Sequence, residues 1–332
     1  MKVLITGGAG FIGSTIGSAC LDGGIQPVVL DSLVTGRREF TEGRPFYHGD
    51  IADGALVDRI FADHPDIDAV IHCAALIVVP DSMADPLRYY RENVAKSIEL
   101  IEHLRRNGVQ RLVFSSSASM YGTEEDFSVD ENSVIDPQSP YATTKVMVEN
   151  VLRDVAKASP LRVLSLRYFN PIGADPQLRT GLQVARPSHA LGKLVQSYED
   201  RVTFNITGND WPTRDGTGIR DYVHVWDLAR AHVEGLRRFD DVVPGDLGYR
   251  VVCLGSGTGT TVRELVHAFE AVIGEPLPHQ DAPARPGDVV GAYARNGLAR
   301  ELLGWEPKYG VEDGIRHSLE WAAIRPQRLH TS

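Results

Sequence analysis

Two residues whose types and spacing suit proton transfer lie in SPYATTK, residues 139–145, where Tyr141 precedes Lys145 by one helical turn. On a helix these side chains lie one above the other on the same face. A tyrosine phenol has a pKa near about 10, so it needs a neighbouring positive charge to act as a base at neutral pH. A lysine ammonium supplies such a charge, and a catalytic pair of this kind would serve the proton transfer of alcohol oxidation. The alternative is an ordinary amphipathic first turn of a surface helix, so the surrounding elements must decide.

Buried strands that alternate with helical patterns are predicted through the first half of the chain. The strands cover residues 2–7, 27–31, 69–75, 111–117 and 162–169. They are short, apolar throughout and rich in β-branched residues, as parallel strands covered on both faces are. The clearest helix is predicted over 87–107, from apolar residues at helical spacing: Leu87, Tyr90, Val94, Ile98, Ile101 and Leu104. This alternation predicts an α/β fold with a doubly wound parallel sheet of the Rossmann type.

A glycine-rich loop, GGAGFIG, follows the first predicted strand and opens a helical pattern. Gly7, Gly10 and Gly13 fit the positions that need a tight turn, close approach of the backbone to a pyrophosphate, and close packing of helix on strand. Asp31 ends the second strand, near the spacing of about 20 residues expected for a carboxylate that binds the ribose. An acid there repels the additional phosphate of NADP. The sequence therefore predicts NAD as the cofactor.

The regular alternation ends after Asn170, where loops lengthen and Gly, Pro and Asp accumulate. Helical patterns return at 227–239, 261–273 and 312–322, and RDYVHV and YRVVCLG look like strands that rejoin the sheet. We therefore predict a Rossmann domain over 1–170, to which 221–255 returns. A smaller, irregular α+β substrate domain is predicted from 171–220 and 256–332.

Composition excludes several classes of protein. The net charge of −10 and the pI of about 5.6 argue against a nucleic-acid surface, which needs clustered Lys and Arg. No segment reaches the roughly 18 consecutive apolar residues of a membrane helix. The cysteines, Cys20, Cys73 and Cys253, form no disulfide or metal pattern, and the histidines include no His-x-x-x-His pair. We expect no metal, and a cytoplasmic location.

Six motifs together resemble the extended short-chain dehydrogenase/reductase superfamily, and within it the UDP-sugar 4-epimerases. They are TGGAGFIG, SSSASMYG, SPYATTK, LRYFNPIGA, GNDWPTRDGTGIRDYVHV and RPGD, and they span nearly the whole chain. The resemblance implies that C4 of a UDP-hexose is inverted through a 4-keto intermediate. Hydride passes from C4 to tightly bound NAD and returns to the other face of the ketone. UDP-glucose and UDP-galactose are the implied sugars, and UDP-glucuronate with UDP-galacturonate is a further candidate pair.

The resemblance also implies the role of each matched residue. Tyr141 takes the proton of sugar O4, Lys145 binds the nicotinamide ribose and lowers the tyrosine pKa, and Ser117 hydrogen-bonds O4. The implied cofactor-binding residues are Gly7, Gly10, Phe11, Ile12, Gly13, Asp31, Asp50 and Ile51 beside the adenine, Ala74, Asn93 and Tyr168. The implied UDP-binding residues are Asn170, Arg220, Arg285 and Asp288, since guanidiniums offer forked, permanently charged donors to a diphosphate.

The chain departs from the family pattern at three places. Ile77 replaces a lysine that many relatives carry after the fourth strand. Ser188 and His189 replace a pair of asparagines, with Arg186 upstream, and Ala292 stands where some relatives have a tyrosine that limits the size of the sugar. Arg186 and His189 would meet the carboxylate of UDP-glucuronate, whereas Ala292 would leave room for an N-acetyl sugar. Ordinary variation of a surface loop is the alternative.

The sequence also bears on other functions and on the oligomeric state. A sugar-nucleotide dehydratase would carry an Asp-Glu pair after the catalytic hydroxyl, where this chain has Ala118 and Ser119. A non-catalytic NAD-binding sensor or scaffold would not need an intact Ser, Tyr and Lys set. Relatives often form homodimers through two helices, here 87–107 and 140–157. Apolar residues of these helices either form that face or pack on their own sheet: Leu87, Tyr90, Val148 and Leu152.

Overall fold

A seven-stranded parallel sheet forms the frame of the molecule, whose computed structural model describes residues 1–284 and 289–330. In spatial order its strands are β11 (Tyr249–Leu254), β7 (Arg162–Tyr168), β5 (Arg111–Ser117), β4 (Ile67–His72), β1 (Lys2–Thr6), β2 (Gln26–Asp31) and β3 (Phe46–His48). The order reverses between β1 and β4, so a crevice opens there at the carboxyl ends of the strands. The predicted doubly wound fold is confirmed, although β3 was not predicted.

Helices cover both faces of this sheet. On one face lie α1 (Phe11–Asp22) and α8 (Val225–Arg237); on the other lie α2 (Gly54–Asp63), α5 (Lys96–Arg106) and α6 (Pro140–Ala158). Side chains alternate along a strand, so Val3 and Ile5 enter the first core while Leu4 enters the second. Two cores on one sheet explain why its strands carry apolar side chains on both faces.

The helix predicted over 87–107 is interrupted. It consists of α4 (Pro86–Tyr89), a π-helical turn (Tyr90–Ala95) and α5. Val94, Ile101 and Leu104 are buried as predicted, but Leu87 is 71 % exposed and Ile98 is 38 % exposed. A π turn adds a residue to the helical register, so residues on either side of it do not share one face.

A second group of elements forms three small sheets and a separate core. Its strands are β6 (Ser128–Val129), β8 (Asn170–Ile172), β9 (Phe204–Thr207), β10 (Ile219–His224), β12 (Gly259–Thr261), β13 (His279–Ala282) and β14 (Tyr293–Ala294). Its main helices are α7 (Ala190–Asp200), α10 (Val262–Ile273) and α11 (Val311–Arg328), and the short helices elsewhere are α3 (Val79–Ala84) and α9 (Phe239–Val242). Three sheets have the orders β12-β10-β8, β13-β9 and β14-β6.

Of the two strands predicted to rejoin the main sheet, one does and the other does not. YRVVCLG forms β11 and joins the edge of the main sheet beside β7. RDYVHV forms β10, which instead pairs with β8 and β12. The reason is that the chain leaves the main sheet after Tyr168 and immediately starts β8, which offers β10 a parallel partner outside the main sheet. The two-domain division stays a prediction.

Candidate active site

The glycine loop between β1 and α1 is closely packed on its protein side and open at Gly10. A Cβ on Gly13 would lie 2.3 Å from the Gly7 carbonyl oxygen, and one on Gly7 would lie 2.7 Å from the Ala74 nitrogen. Gly7 also has a φ of +69°, which favours glycine. A Cβ on Gly10, by contrast, would meet only the Gly7 oxygen, at 3.4 Å. The loop therefore leaves room for a group to approach the backbone at Gly10.

The first turn of α1 offers an anion site at this opening. Gly10 is its N-cap, and no side chain caps the helix. The amides of Phe11 and Ile12 lie in the first turn, where helix geometry provides no intrahelical acceptor, and the helix dipole is positive there. This arrangement fits a dinucleotide pyrophosphate.

Asp31 lies at the end of β2 with its carboxylate held in place. It accepts hydrogen bonds from the amides of Ala9, at 2.9 Å, and Leu33, at 2.8 Å. Burial raises the pKa of Asp31, and these amides act in the opposite direction. Gly36 packs against it so closely that a Cβ there would lie 2.7 Å from the carboxylate. The position fits the predicted contact with a ribose.

Three further predicted cofactor residues support the walls of the crevice. Asp50 pairs with the Lys96 ammonium at 2.6 Å, and Ile51 is buried beside it. The Asn93 side chain is bonded to the loop after β4. Its Oδ1 accepts a hydrogen bond from the Leu76 backbone amide at 2.8 Å, and its Nδ2 donates to the Leu76 carbonyl at 2.9 Å. In this structure Asn93 therefore positions the loop that carries Ala74, and its own contact with the cofactor stays a prediction.

The predicted catalytic residues converge at the carboxyl end of β5. Ser117 is the last residue of that strand and is buried. Ser139 caps α6 by accepting the Ala142 amide at 3.2 Å, and Pro140 occupies the first position of the helix. Tyr141 therefore lies in the first turn of α6, with Lys145 on the next turn, and both side chains are buried. The structure brings all three predicted residues together.

Burial dominates the electrostatics of the pair. It raises the pKa of the Tyr141 phenol, while the neighbouring Ser117 hydroxyl acts in the opposite direction. It lowers the pKa of the Lys145 ammonium to about 8, opposed by Cys73 and Glu149. Lys145 donates to the Ser115 carbonyl at 2.8 Å. In the protein alone the phenol is thus neutral, and a lowering of its pKa by Lys145 stays a prediction.

Tyr168 closes the same end of the sheet from β7. Its ring packs on the core beside Cys73 and lies 6.3 Å from the His232 ring. Burial raises the pKa of its phenol well above the ordinary value, with Cys73 and Tyr141 acting in the same direction. Tyr168 therefore stays neutral and offers a wall rather than a charge.

The predicted UDP-binding residues lie on the second group of elements, as far as they are described. Asn170 is the exposed first residue of β8 and pairs in register with Tyr222 of β10. Arg220 donates to the carbonyls of Val290, at 2.7 Å, and Val289, at 3.0 Å. Arg285 and Asp288 lie outside the described residues.

The loop before α7 carries three of the residues that depart from the family pattern. Arg186 and Ser188 are exposed. His189 is the N-cap of α7, because its Nδ1 accepts the Gly192 amide at 3.1 Å. Although part of its surface is exposed, close protein surroundings lower the pKa of His189 to about 4. An Nδ1 that accepts a hydrogen bond carries no proton, so this cap favours a neutral imidazole, and a contact of His189 with a substrate carboxylate stays a prediction.

Sequence reasoning did not identify Tyr222 as a site residue. Its side chain is 4 % exposed, and its hydroxyl has no hydrogen-bond partner among residues 1–284 and 289–330. Burial raises the pKa of this phenol to about 12, opposed by the charge of Arg220. A buried hydroxyl without a partner is costly, so Tyr222 is a candidate site residue beside Arg220. In the sequence, the available signal was that Tyr222 lies two residues after Arg220, a predicted UDP-binding residue. In the structure Tyr222 also pairs with Asn170, another of these residues.

Ala292 lies close to the catalytic end of β5. It packs against a small cluster that contains Ala118, the residue after Ser117, together with Tyr121 and Phe169. The effect of Ala292 on the size of the bound sugar stays a prediction. In the described part of the chain, no group of three or more His, Cys, Asp or Glu could hold a metal ion. Nor does any described helix have the length and apolar character needed to cross a membrane.

Comparisons with known proteins agree with this geometry. The profile of the NAD dependent epimerase/dehydratase family matches residues 3–255. The chain is 43 % identical to the UDP-glucose 4-epimerase of Azospirillum brasilense over 326 residues, which cover 96 % of this chain and 91 % of that one. This chain belongs to the NAD dependent epimerase/dehydratase family. Within the extended short-chain dehydrogenase/reductase superfamily it is an NAD-dependent epimerase, and the prediction of NAD as cofactor is confirmed.

Solved structures show the same architecture. The UDP-glucose 4-epimerase of Stenotrophomonas maltophila, with bound NAD and formylated UDP-arabinopyranose, has a TM-score of 0.93 at 36 % identity, covering 98 % of this chain and 99 % of that one. The enzyme of Bifidobacterium longum, in complex with NAD+ and UDP, has a TM-score of 0.90 at 33 % identity, covering 99 % of this chain and all of that one. The fold of the NAD-dependent epimerases therefore extends over the whole described chain.

Proposed function

We propose that this epimerase inverts C4 of a UDP-hexose, interconverting UDP-glucose and UDP-galactose. The observation that carries the proposal is the convergence of Tyr141, Lys145 and Ser117 at the carboxyl end of β5, beside the glycine loop. The relatives named above are UDP-glucose 4-epimerases that match nearly the full length of this chain, which supports the choice of substrate. Bound NAD supplies a hydride acceptor that later returns the hydride to C4.

The residues of this chain manage the proton that accompanies each hydride transfer. Tyr141 takes the proton from sugar O4 as the alcohol becomes a ketone, and gives it back when the ketone is reduced. Ser117 donates a hydrogen bond to the developing O4 charge, and Lys145 favours the tyrosinate electrostatically. Burial keeps water away from the ketone. Because the hydride returns to the substrate, the reaction has no net redox change.

The central test of this function is substitution of the base. Tyr141→Phe should preserve folding and bound NAD, and should lower kcat for UDP-galactose by at least about 100-fold, the low end of general acid-base contributions. The measurement is the separation of UDP-glucose from UDP-galactose after incubation. A dehydratase would release a product that has lost water, and mass spectrometry of the same samples detects it. A Tyr141→Phe protein with most of its activity would contradict the assignment.

For the sugar itself, UDP-glucuronate is the second candidate, and Arg186 is the observation that favours it. Arg186 is the exposed cation of the loop before α7, while His189 is neutral and serves as the N-cap. A carboxylate needs a charged donor, and such a hydrogen bond contributes about 1.5–3 kcal/mol, or about 10- to 150-fold in selectivity. We expect UDP-glucuronate to be accepted, and preferred if Arg186 reaches its carboxylate.

A panel of UDP-sugars compared on three proteins tests this choice. Arg186→Ala should reduce turnover of UDP-glucuronate and spare UDP-glucose. Lys193→Ala is the matched control, because Lys193 is an exposed cation on α7 that bonds only to Gln196 at 3.0 Å among the described residues. Equal effects of the two substitutions would leave glucose and galactose as the assigned sugars. Turnover of UDP-N-acetylglucosamine would instead favour the hypothesis that Ala292 leaves room for an N-acetyl sugar.

We further propose a homodimer that uses the helices on the α4–α6 side. Val148 and Leu152 are buried in the core of their own sheet, and Tyr90 is partly buried against it. Leu87 and Met147 are exposed, at 71 % and 40 %, and they offer apolar surface on α4 and α6. Light scattering should give twice the mass of the chain, and Leu87→Glu should shift it to the mass of one chain. A wild-type monomer at micromolar concentration would contradict this proposal.

A further inference from the structure

A buried carboxylate on α6 continues the face that carries the catalytic pair. Tyr141, Lys145 and Glu149 follow one another at intervals of one turn, so their side chains lie on the same side of the helix. Glu149 is 2 % exposed and holds an ion pair with Arg167 at 2.6 Å. The reaction uses the first two residues, and neither the cofactor motifs nor the UDP motifs use the third.

Every donor to this carboxylate comes from the two strands that deliver site residues. Glu149 Oε1 accepts from the hydroxyls of Ser116, at 2.6 Å, and Ser165, at 2.9 Å. It also accepts from Arg167 Nε at 3.0 Å, while Oε2 accepts from Arg167 Nη2. Ser116 directly precedes Ser117 on β5, and Arg167 directly precedes Tyr168 on β7. One carboxylate thus joins α6 to both strand ends.

The network continues on the far side of Arg167. Its Nη1 donates to the Tyr121 hydroxyl at 2.8 Å, and that hydroxyl lies 3.0 Å from the Cys253 sulfur. Tyr121 follows the short turn that begins at Ser117. The chain on both sides of Ser117 is therefore fixed to the Glu149–Arg167 pair, before it through Ser116 and after it through Tyr121.

We propose that Glu149 is a positioning residue of this active site. Through Ser116 its carboxylate sets the separation between the Ser117 hydroxyl and the Tyr141 phenol. The same charge keeps the Lys145 ammonium protonated in a buried place. This inference rests on the proposed function for its catalytic consequence, but the geometry it describes belongs to the protein alone.

The surroundings of Lys145 explain why the charge of Glu149 matters. From β4, His72 and Cys73 face it, and both are neutral because burial lowers the pKa of His72 to about 3 and raises that of Cys73 to about 11. From α6 and β7, Tyr141 and Tyr168 are also neutral, since burial raises the pKa of each phenol. Among the described groups that act on Lys145, Glu149 is the one that is ionised at pH 7. Burial acts to raise the pKa of Glu149, but its hydrogen bonds and the charge of Arg167 outweigh burial and lower that pKa.

Two serine substitutions separate positioning from stability. Ser116→Ala and Ser165→Ala each remove one hydroxyl donor to the same oxygen, from side chains that are both fully buried. They should lower stability similarly. Ser116→Ala should reduce kcat by about tenfold or more, since misplacement of reacting groups by about 1 Å costs up to 100-fold, with the KM for UDP-sugar nearly unchanged. Ser165→Ala should keep kcat within about twofold. Equal kcat values for the two variants would overturn the proposal.

Removal of the charge gives a second readout that needs no sugar. In NAD-loaded protein, the Tyr141 phenol is titrated by ultraviolet difference absorbance, with Tyr141→Phe as the subtraction. Glu149→Gln should raise the pKa of Tyr141, because Lys145 then loses its proton more readily. In the sugar assay the alkaline limb of the kcat profile should shift to lower pH for the same reason. An unchanged phenol pKa would overturn the proposal.

Glu149→Gln leaves Arg167 buried without its partner, which by itself can prevent folding. The double substitution Glu149→Gln with Arg167→Met removes both charges, and the same two readouts apply to it. A wild-type protein that converts no UDP-hexose would refute the proposed function. The phenol titration would still decide whether Glu149 positions Tyr141 and Lys145, so the two failures are distinguishable.

Discussion

Two alanine substitutions in the glycine loop should separate folding from cofactor binding. A Cβ on Gly13 would lie 2.3 Å from the Gly7 oxygen and 2.9 Å from the Gly8 Cα, and both are backbone atoms that cannot turn away. A Cβ on Gly10 would make one ordinary contact, at 3.4 Å. Gly10 has a φ of −84° and a ψ of 173°, which alanine adopts freely. The Gly10 methyl therefore threatens the cofactor and not the fold.

The magnitudes follow from these contacts. Gly13→Ala should lower the free energy of unfolding of the NAD-free protein by about 1–3 kcal/mol, the usual cost of overpacking. Gly10→Ala should lower it by less than about 1 kcal/mol, the cost of alanine at an N-cap. Gly10→Ala should nevertheless weaken NAD binding by about 10- to 150-fold, because a methyl group separates the pyrophosphate from one amide donor, at about 1.5–3 kcal/mol.

Chemical denaturation of NAD-free protein and calorimetric titration with NAD measure the two effects separately. Unfolding must be followed without NAD, because a bound ligand itself stabilises the folded state. A Gly10→Ala protein that binds NAD like the wild type would refute the placement of the pyrophosphate at Gly10. A Gly13→Ala protein of unchanged stability would refute the packing argument.

Three further predictions concern pH, sugar size and cofactor choice. Burial holds the pKa of three histidines at about 3 to 4: His72, His224 and His232. Below about pH 6.5, therefore, only the unfolded chain takes up protons at these residues. The free energy of unfolding, measured in urea, should fall by about 1 kcal/mol per histidine between about pH 7 and about pH 5.5. Ala292→Tyr should lower turnover of N-acetyl UDP-sugars more than that of UDP-glucose; an unchanged ratio would remove Ala292 from the site. Asp31→Asn should reduce the preference for NAD over NADP, as measured by binding of both cofactors.

The sequence predicted the fold and the site best where they depend on the spacing of residues close together in the chain. Tyr141 and Lys145 are one turn apart on any helix, and Ser139 with Pro140 marks where that helix begins. The glycine loop and Asp31 belong to consecutive elements of one βαβ unit. Such relations are set by neighbours along the chain, so the predicted fold and the convergence of the catalytic residues could be derived before any coordinates.

Sequence reasoning failed where a relation depends on packing between distant segments. The strand RDYVHV has the composition of a buried strand, but composition does not specify which partner it pairs with. The π turn at Tyr90–Ala95 has no simple sequence signal, and so the exposure of Leu87 was not foreseen. The capping bond from the Gly192 amide to His189 was not predicted either, because histidine is not among the usual N-cap residues.

Contacts from the second half of the chain meet the NAD-binding half directly beside Asp31. Gln183 donates to the Thr35 carbonyl at 2.9 Å, and the Trp321 ring lies 5.7 Å from that of Phe40 while its indole donates to the Leu182 carbonyl. Thr35 lies in the loop that follows β2, and Phe40 lies in the 3-10 turn Arg38–Thr41 at the end of that loop. On the proposed mechanism the hydride returns to the same sugar, so the cofactor need not be exchanged during turnover. Contacts that hold this loop in place therefore favour retention of the cofactor, and they come from residues that no cofactor motif contains.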